Sequence, residues 1–410
     1  MKIAVLRTID RVAGIWICKI LSLFSKIFPG KERSGPPEQI LVILLSEMGS
    51  LVLAYPMFQR ISERYPEASV SVLVFEKNKE MLEILGVVAE ENILTVRDGT
   101  LRHFILDSLR ALLKMRGLAV DVVVDCELFA RVSSIFSFLS GAGIRCGFAP
   151  HTQEGLYRGS FINRPVLYNP YQHISRQYLT LIEALDSDSV PSAKRVTGND
   201  RLEIPKFDPR PDEVEQMVER LCRDYPVCRK RKLVLIYPSG GILPIRAWPA
   251  EHYCRLVSAL LEQGYVVAVI GLESDKPIAD EIITHCDSRA AIDLCGYTRS
   301  IQELMMLFYH AVLLITNDGG PGQFAAMTPI PTIIFFGPET PALYGSHSPN
   351  AHFLFTGLSC SPCLTAYNHR NSPCDGDNLC LKRITPEQVF AKAREMIEQA
   401  SGSATKATTP

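Results

Sequence analysis

The stretch from Ile315 to Tyr344, ITNDGGPGQFAAMTPIPTIIFFGPETPALY, constrains the fold more than any other part of the chain. The apolar run Val312 to Ile315 leads into a polar, glycine-rich turn, Thr316 to Gly322. Gln323 to Met327 then opens a helix of small residues, and Thr332 to Phe336 is a second apolar run that ends in Gly337-Pro338. This pattern reads as two parallel strands joined through a helix. Such a turn aims backbone N–H groups and the positive end of a helix dipole at whatever sits above it, which makes it a seat for a diphosphate. The plainer alternative is a tight turn whose glycines only permit unusual backbone angles.

The same alternation of apolar runs and helical patterns fills the chain. A Gly-Pro-Pro linker at Gly35 to Pro37 precedes strands expected at Ile40 to Leu45, Val70 to Val74, Ile93 to Val96, Val122 to Val124 and Ile144 to Phe148. The rhythm breaks around Asp186 to Asp200. After a helical stretch at Arg210 to Tyr225 it resumes at Lys232 to Tyr237, Tyr265 to Ile270, Ala291 to Leu294, Val312 to Ile315, Thr332 to Phe336 and His352 to Phe355. Alternation of this kind means parallel sheets with helices on both faces, and 410 residues suit two domains. The expected division is 1–37 for an amphipathic helix and linker, 38–200 and 201–384 for two Rossmann-like doubly wound domains facing a cleft, 385–400 for a closing helix and 401–410 for a disordered tail. Thr385-Pro386-Glu387-Gln388 is the capping box of that helix. In wound sheets ligands bind beyond the carboxyl ends of strands, so chemistry is expected in the loops there.

The turn also resembles the donor-site signature of glycosyltransferase family 9, the lipopolysaccharide heptosyltransferase-like enzymes. Asn317, Asp318, Gly320, Pro321, Ala325, Ala326, Gly337 and Pro338 fit its pattern, whereas Gly319 replaces a usual Ser or Thr and Gln323 a usual His. The resemblance implies α/β GT-B architecture and a nucleotide-sugar donor held by Asp318, Gly319, Gly320 and Gln323. Tyr237 to Pro249, YPSGGILPIRAWP, resembles the family's segment in which a basic residue precedes Trp-Pro. There Arg246 suits phosphate oxygens, while Ser239 and Gly240 offer hydroxyl and backbone donors. Glu273, just past a strand, suits the ribose hydroxyls.

In the first half the family usually reads Met-Gly-Asp followed by an apolar helix, and the Asp is taken as catalytic base. This chain has Met48-Gly49-Ser50, with Pro56 at the family spacing. A serine hydroxyl cannot by itself replace a carboxylate base, so Glu47, three residues earlier, is the substitute. Acceptor contacts are expected from Glu127 and Arg131, which share one face if helical, and from Arg158 and His173 in the polar loops beyond.

Net charge of −1 argues against a general nucleic-acid binder. Cys360, Cys363, Cys374 and Cys380 give a C-x2-C-x10-C-x5-C spacing compatible with a structural Zn2+, with free thiols or redox use as alternatives. Catalysis needs no cofactor, because donors converging on a diphosphate stabilise the leaving group. No apolar run reaches the length of a membrane span. Ile9, Val12, Ile15, Trp16, Ile20, Leu23, Phe24 and Ile27 recur at helical spacing, and residues 1–33 carry seven Lys or Arg against two acidic groups. This helix suits an anionic inner-leaflet surface or packing on the body. The sequence therefore implies a cytoplasmic, membrane-peripheral, inverting glycosyltransferase. It would use a nucleotide sugar, ADP-heptose first, and a lipopolysaccharide core or other surface-glycan acceptor. A nucleotide-sugar epimerase and an inactive binding homologue are the alternatives.

Overall fold

The computed structural model describes residues 3–27, 35–45, 47–149, 157–187, 202–367 and 370–407. By its internal contacts the chain divides into two units. The first comprises Met1–Glu203 together with Thr365–Asn371, the second Ile204–Leu364 with Ser372–Pro410.

The first unit contains β1 (Gln39–Ile43), β2 (Ser69–Phe75), β3 (Ile93–Val96), β4 (Val122–Asp125), β5 (Ile144–Phe148) and β6 (Arg164–Val166). They pair in parallel in the order β3-β2-β1-β4-β5-β6. The central strands are apolar on both faces because both are covered; Ile40 to Leu45 are all buried. β6 was not expected from the sequence. It is three residues long, contains Pro165, and sits at the sheet edge, where a missing N–H costs no ladder bond.

The N-terminal helix spans Ile3–Ile27. It packs on the helix Arg131–Leu139, and the Asp10 carboxylate accepts from the backbone N–H groups of Arg131 (2.9 and 3.1 Å) and Val132 (2.9 Å). Asp10 thus caps a helix distant in sequence, satisfying donors that a helix start leaves open. Gly14 lets the two helices approach, since a Cβ there would lie 3.0 Å from Arg131 side-chain atoms. Cys18 and Ser22 are buried in the same seam, and the Ser22 hydroxyl lies 2.7 Å from the Tyr157 hydroxyl. Packing on the body is therefore what this face of the helix does, yet its opposite face remains apolar and exposed. Among the described residues, no helix is long and apolar enough to cross a membrane.

The second unit contains β7 (Leu233–Tyr237), β8 (Val266–Gly271), β9 (Ala291–Cys295), β10 (Leu313–Asn317), β11 (Thr332–Phe336) and β12 (Ala351–Phe355), parallel in the order β12-β11-β10-β7-β8-β9. In both sheets the strand order reverses beside the first strand, the signature of doubly wound topology. Trp248 anchors the core, with ring centroids 4.8 Å from Tyr253 and 4.7 Å from Phe335, and its indole N–H donates to the Ile384 carbonyl (2.9 Å). The closing helix spans Pro386–Ala407, farther than expected; residues 401–407, assigned to a disordered tail from the sequence, continue it, and 408–410 lie outside the described residues. Its capping box forms as expected, with Gln388 N–H on the Thr385 hydroxyl (3.3 Å) and Thr385 N–H on the Gln388 side chain (3.0 Å).

Candidate active site

Because the strands of the second unit are parallel, their carboxyl ends lie along one edge of the sheet. The donor candidates sit there, after β7 (Ser239, Gly240, Arg246), β8 (Glu273) and β10 (Asp318, Gly319, Gly320, Gln323). Asn317 holds this edge together. Its side-chain amide donates to the carbonyls of Pro238 (2.9 Å) and Ser239 (3.1 Å), and its oxygen accepts from Trp248 N–H (2.9 Å) and the Tyr253 hydroxyl (3.2 Å). Both ends of one buried amide are satisfied, which fixes the β7 loop against the end of β10.

Arg246 is buried between two carboxylates. Its Nη2 donates to Glu339 Oε1 at 3.0 Å, and Nε lies 3.7 Å from Asp318 Oδ2. Glu339, the residue directly after Gly337-Pro338 at the end of β11, was not singled out from the sequence. Its signal was position alone, as an acid just past a strand. One cation flanked by two carboxylates leaves no net positive charge at this point of the strand edge. The helix after β10, Gly320–Ala325, has Gly319 at its cap position with no side-chain cap. Nor do these glycines serve left-handed backbone angles. Gly319 is extended, and Gly322 is needed for close packing, because a Cβ there would lie 3.0 Å from Ile334 Cδ1. Gly319 and Gly320 remain partly exposed at the sheet edge. Gln323 is buried and donates to the Tyr344 carbonyl (2.8 Å). Glu273 is exposed and pairs with Lys276 (2.6 Å), and the Ser239 hydroxyl accepts from Gly241 N–H (3.1 Å).

In the first unit, β1 leads to Glu47 at the N-cap position of the short helix Met48–Leu53. Its carboxylate caps nothing and is partly exposed. Oε1 lies 3.6 Å from Nη1 of Arg370, which belongs to the first unit through the segment Thr365–Asn371. Ser50 is in the first helical turn, its N–H donating to the Glu47 carbonyl (2.9 Å). The carboxylate thus stands at a strand's carboxyl end, beside a guanidinium and partly open to solvent.

The acceptor candidates fare differently. Arg158 is buried. Its Nη2 binds Asp125 and the Ser133 hydroxyl (2.8 Å), Nη1 the Phe148 carbonyl (3.1 Å) and Nε the Ala130 carbonyl (3.0 Å). Burial pushes the Asp125 carboxyl up to about 6 while Arg158 pulls it down. Arg131 is buried beneath the N-terminal helix, donating to the Tyr157 carbonyl (2.8 Å). Both arginines are spent on structure rather than on the acceptor contacts expected. Glu127 and Arg131 do not share a helical face either, since the helix begins only at Arg131; Glu127 is buried beside Asp125. His173 caps the helix Ile174–Glu183, its Nδ1 accepting from Ser175 N–H (3.2 Å).

The four cysteines are not gathered into a ligand set. Cys360 and Cys374 are exposed, whereas Cys380 is buried against Gly337, where a Cβ would meet its Sγ at 2.9 Å. Burial pushes the Cys380 thiol up. Among the described residues, no group of three or more His, Cys, Asp or Glu is placed to hold a metal ion. The Cys363 backbone N–H donates to the Pro338 carbonyl (2.9 Å) at the end of β11.

Two parallel, doubly wound units with polar side chains at their strand ends are the architecture of GT-B glycosyltransferases. Escherichia coli ADP-heptose LPS heptosyltransferase II has this fold, matching at TM-score 0.69 and 18% identity over 88% of this chain and 99% of that one. E. coli heptosyltransferase WaaC with ADP-2-deoxy-2-fluoro heptose matches at TM-score 0.58 and 14% identity over 87% and 99%. Lipopolysaccharide heptosyltransferase 2 of Salmonella typhimurium is 22% identical over 88% of this chain and 99% of its own length. Residues 110–372 match glycosyltransferase family 9 (heptosyltransferase). The chain belongs to that family and is a glycosyltransferase, which disfavours the epimerase and binding-only readings.

Proposed function

We propose that the protein transfers a heptose from ADP-heptose to a hydroxyl of a lipopolysaccharide core sugar, with inversion, at the inner face of the cytoplasmic membrane. The relatives named for ADP-heptose and lipopolysaccharide support the choice of donor and acceptor. The observation that carries the reading is the pinning of the β7 and β10 ends by Asn317, which sets Ser239, Gly240, Asp318, Gly319 and Gly320 along one edge. Their N–H and hydroxyl groups, with Arg246, receive the diphosphate, and Glu273 receives the ribose. Gln323 acts from behind the turn.

Glu47 is the base in this scheme. As the acceptor oxygen forms its bond to the anomeric carbon, the bond from that carbon to the diphosphate oxygen breaks and ADP leaves with the electron pair. The acceptor's proton passes to the Glu47 carboxylate. Arg370 lies 3.6 Å from that carboxylate, and Ser50, where the family usually has Asp, lies one turn along the same helix start. His173, partly exposed with its Nδ1 engaged in the helix cap, remains as an acceptor-side group.

The test is ADP release from ADP-heptose with a deep-rough lipopolysaccharide acceptor. Wild type is expected to release ADP only with acceptor present, and Glu47→Gln to lower kcat by about 100-fold or more at unchanged donor affinity. Retained turnover in Glu47→Gln removes Glu47 from the mechanism. Failure to bind ADP at all defeats the nucleotide assignment.

A further inference from the structure

The first unit exposes two apolar ridges that its own core does not use. On the N-terminal helix, Val12, Trp16, Ile20, Leu23 and Ile27 are exposed, Trp16 to 64%, on the side opposite Gly14, Cys18 and Ser22. The helix Leu101–Gly117 buries Asp107, Ala111 and Met115, but leaves Leu101, Ile105, Leu109 and Leu113 in a line four residues apart, Leu113 exposed to 74%. A soluble surface rarely keeps two such stripes without a partner. They belong to one face of the first unit. Phe104, Ala111 and Met115 share a core cluster with Val132 and Phe136 of the helix Arg131–Leu139, and the N-terminal helix packs on that same helix. Arg116 Nε also donates to the Leu139 carbonyl at 2.7 Å.

Charge selects the partner. The chain as a whole has 43 Lys and Arg against 44 Asp and Glu, yet each of these two helices carries four Lys or Arg against a single Asp. Neither Asp is available outward. Asp10 caps the neighbouring helix, and Asp107 is held by Arg97 (2.7 and 2.9 Å). Each apolar ridge is therefore flanked by net positive charge. Two copies docking ridge to ridge would bring basic flank onto basic flank, which is repulsive. An anionic bilayer satisfies both components at once, taking the apolar ridges into the acyl boundary and the Lys and Arg at the headgroups.

We propose that the N-terminal helix and the helix Leu101–Gly117 together form a rigid docking surface for an anionic lipid bilayer. This deepens the proposed action at the membrane and rests on it. The N-terminal helix is clamped by Asp10, so it acts as part of a platform and not as a loose tether.

The test uses the full chain and two variants altered only on exposed ridges, Trp16→Ser/Leu23→Ser and Ile105→Ser/Leu109→Ser/Leu113→Ser. Deleting residues 1–33 would be ambiguous, because it removes the Asp10 cap and uncovers Cys18. Co-sedimentation is measured with phosphatidylcholine vesicles and with vesicles containing about 30% phosphatidylglycerol. Wild type is expected to favour the anionic vesicles by about tenfold or more, less so at high salt, and each variant to lose about tenfold in partitioning. ADP release with a water-soluble core-sugar acceptor should stay at the wild-type level in both, which also reports folding. Indifference of wild type to anionic vesicles overturns the proposal. Wild-type binding by the Ile105/Leu109/Leu113 variant overturns the second ridge, and a dimer that this variant dissociates gives the ridge to a second copy. Failure of the donor assignment would instead show as absent ADP release without vesicles.

Discussion

At the scale of single residues, the second unit's strand edge depends on one amide. Asn317→Ala removes both the donor to Pro238 and Ser239 and the acceptor for Trp248 and Tyr253, leaving several buried groups without partners. The expected loss is about 2–4 kcal/mol, read as a lower urea midpoint at unchanged slope. Asn317→Asp should not rescue it, since a carboxylate faces the same two carbonyls without a donor. Gly322→Ala places a methyl 3.0 Å from Ile334 Cδ1 and should cost about 1–3 kcal/mol by the same measurement. Gly322 lies in a segment whose chemistry was legible from residue order, because a strand, a glycine turn and a helix have few arrangements. Glu339 was not legible: nothing local distinguishes it from a solvated loop acid, and only the fold brings it to Arg246. Arg131 and Arg158 misled for the converse reason. Beside polar loops they read as ligands, but their partners are carbonyls and a carboxylate from elsewhere in the unit.

At the scale of elements, the apolar runs placed each expected strand, because a strand buried on both faces has little freedom in composition. The strand β6 escaped because an edge strand with a proline carries no such pattern. The N-terminal helix carried two readings, and the face that packs on the body meets one of them. Asp10→Ala should destabilise the protein by about 1–2 kcal/mol through the lost cap on the helix Arg131–Leu139, measured by denaturant unfolding. The helix Leu101–Gly117 is tied by Asp107, whose carboxyl the Arg97 hydrogen bond lowers from 3.8 to about 2. A depressed folded value means stabilisation that is complete above the unfolded value near 4 and lost as pH falls toward 2. Asp107→Asn should therefore lower Tm at pH 7 and show a shallower further decline between pH 4 and pH 2 than wild type. Equal slopes would remove Asp107 from the acid response.

For the molecule as a whole, donor binding should leave an uneven imprint. ADP at about 100 times its Kd stabilises the state that binds it by about 2.7 kcal/mol. In hydrogen exchange, the loops Ser239 to Gly241 and Asp318 to Gly320 should slow, with β1 to β6 unchanged. Equal slowing of both sheets would mean that ADP contacts are not confined to the second unit's strand ends. The chain's route through its two units has a separate consequence for anyone recombining family members. A graft cut once, after Glu203, would deliver a first unit lacking Thr365–Asn371, and with it Arg370, the cation beside Glu47. The first unit can be exchanged whole only by a transplant with two separate inserts, the second a heptapeptide carried inside the other parent's second unit.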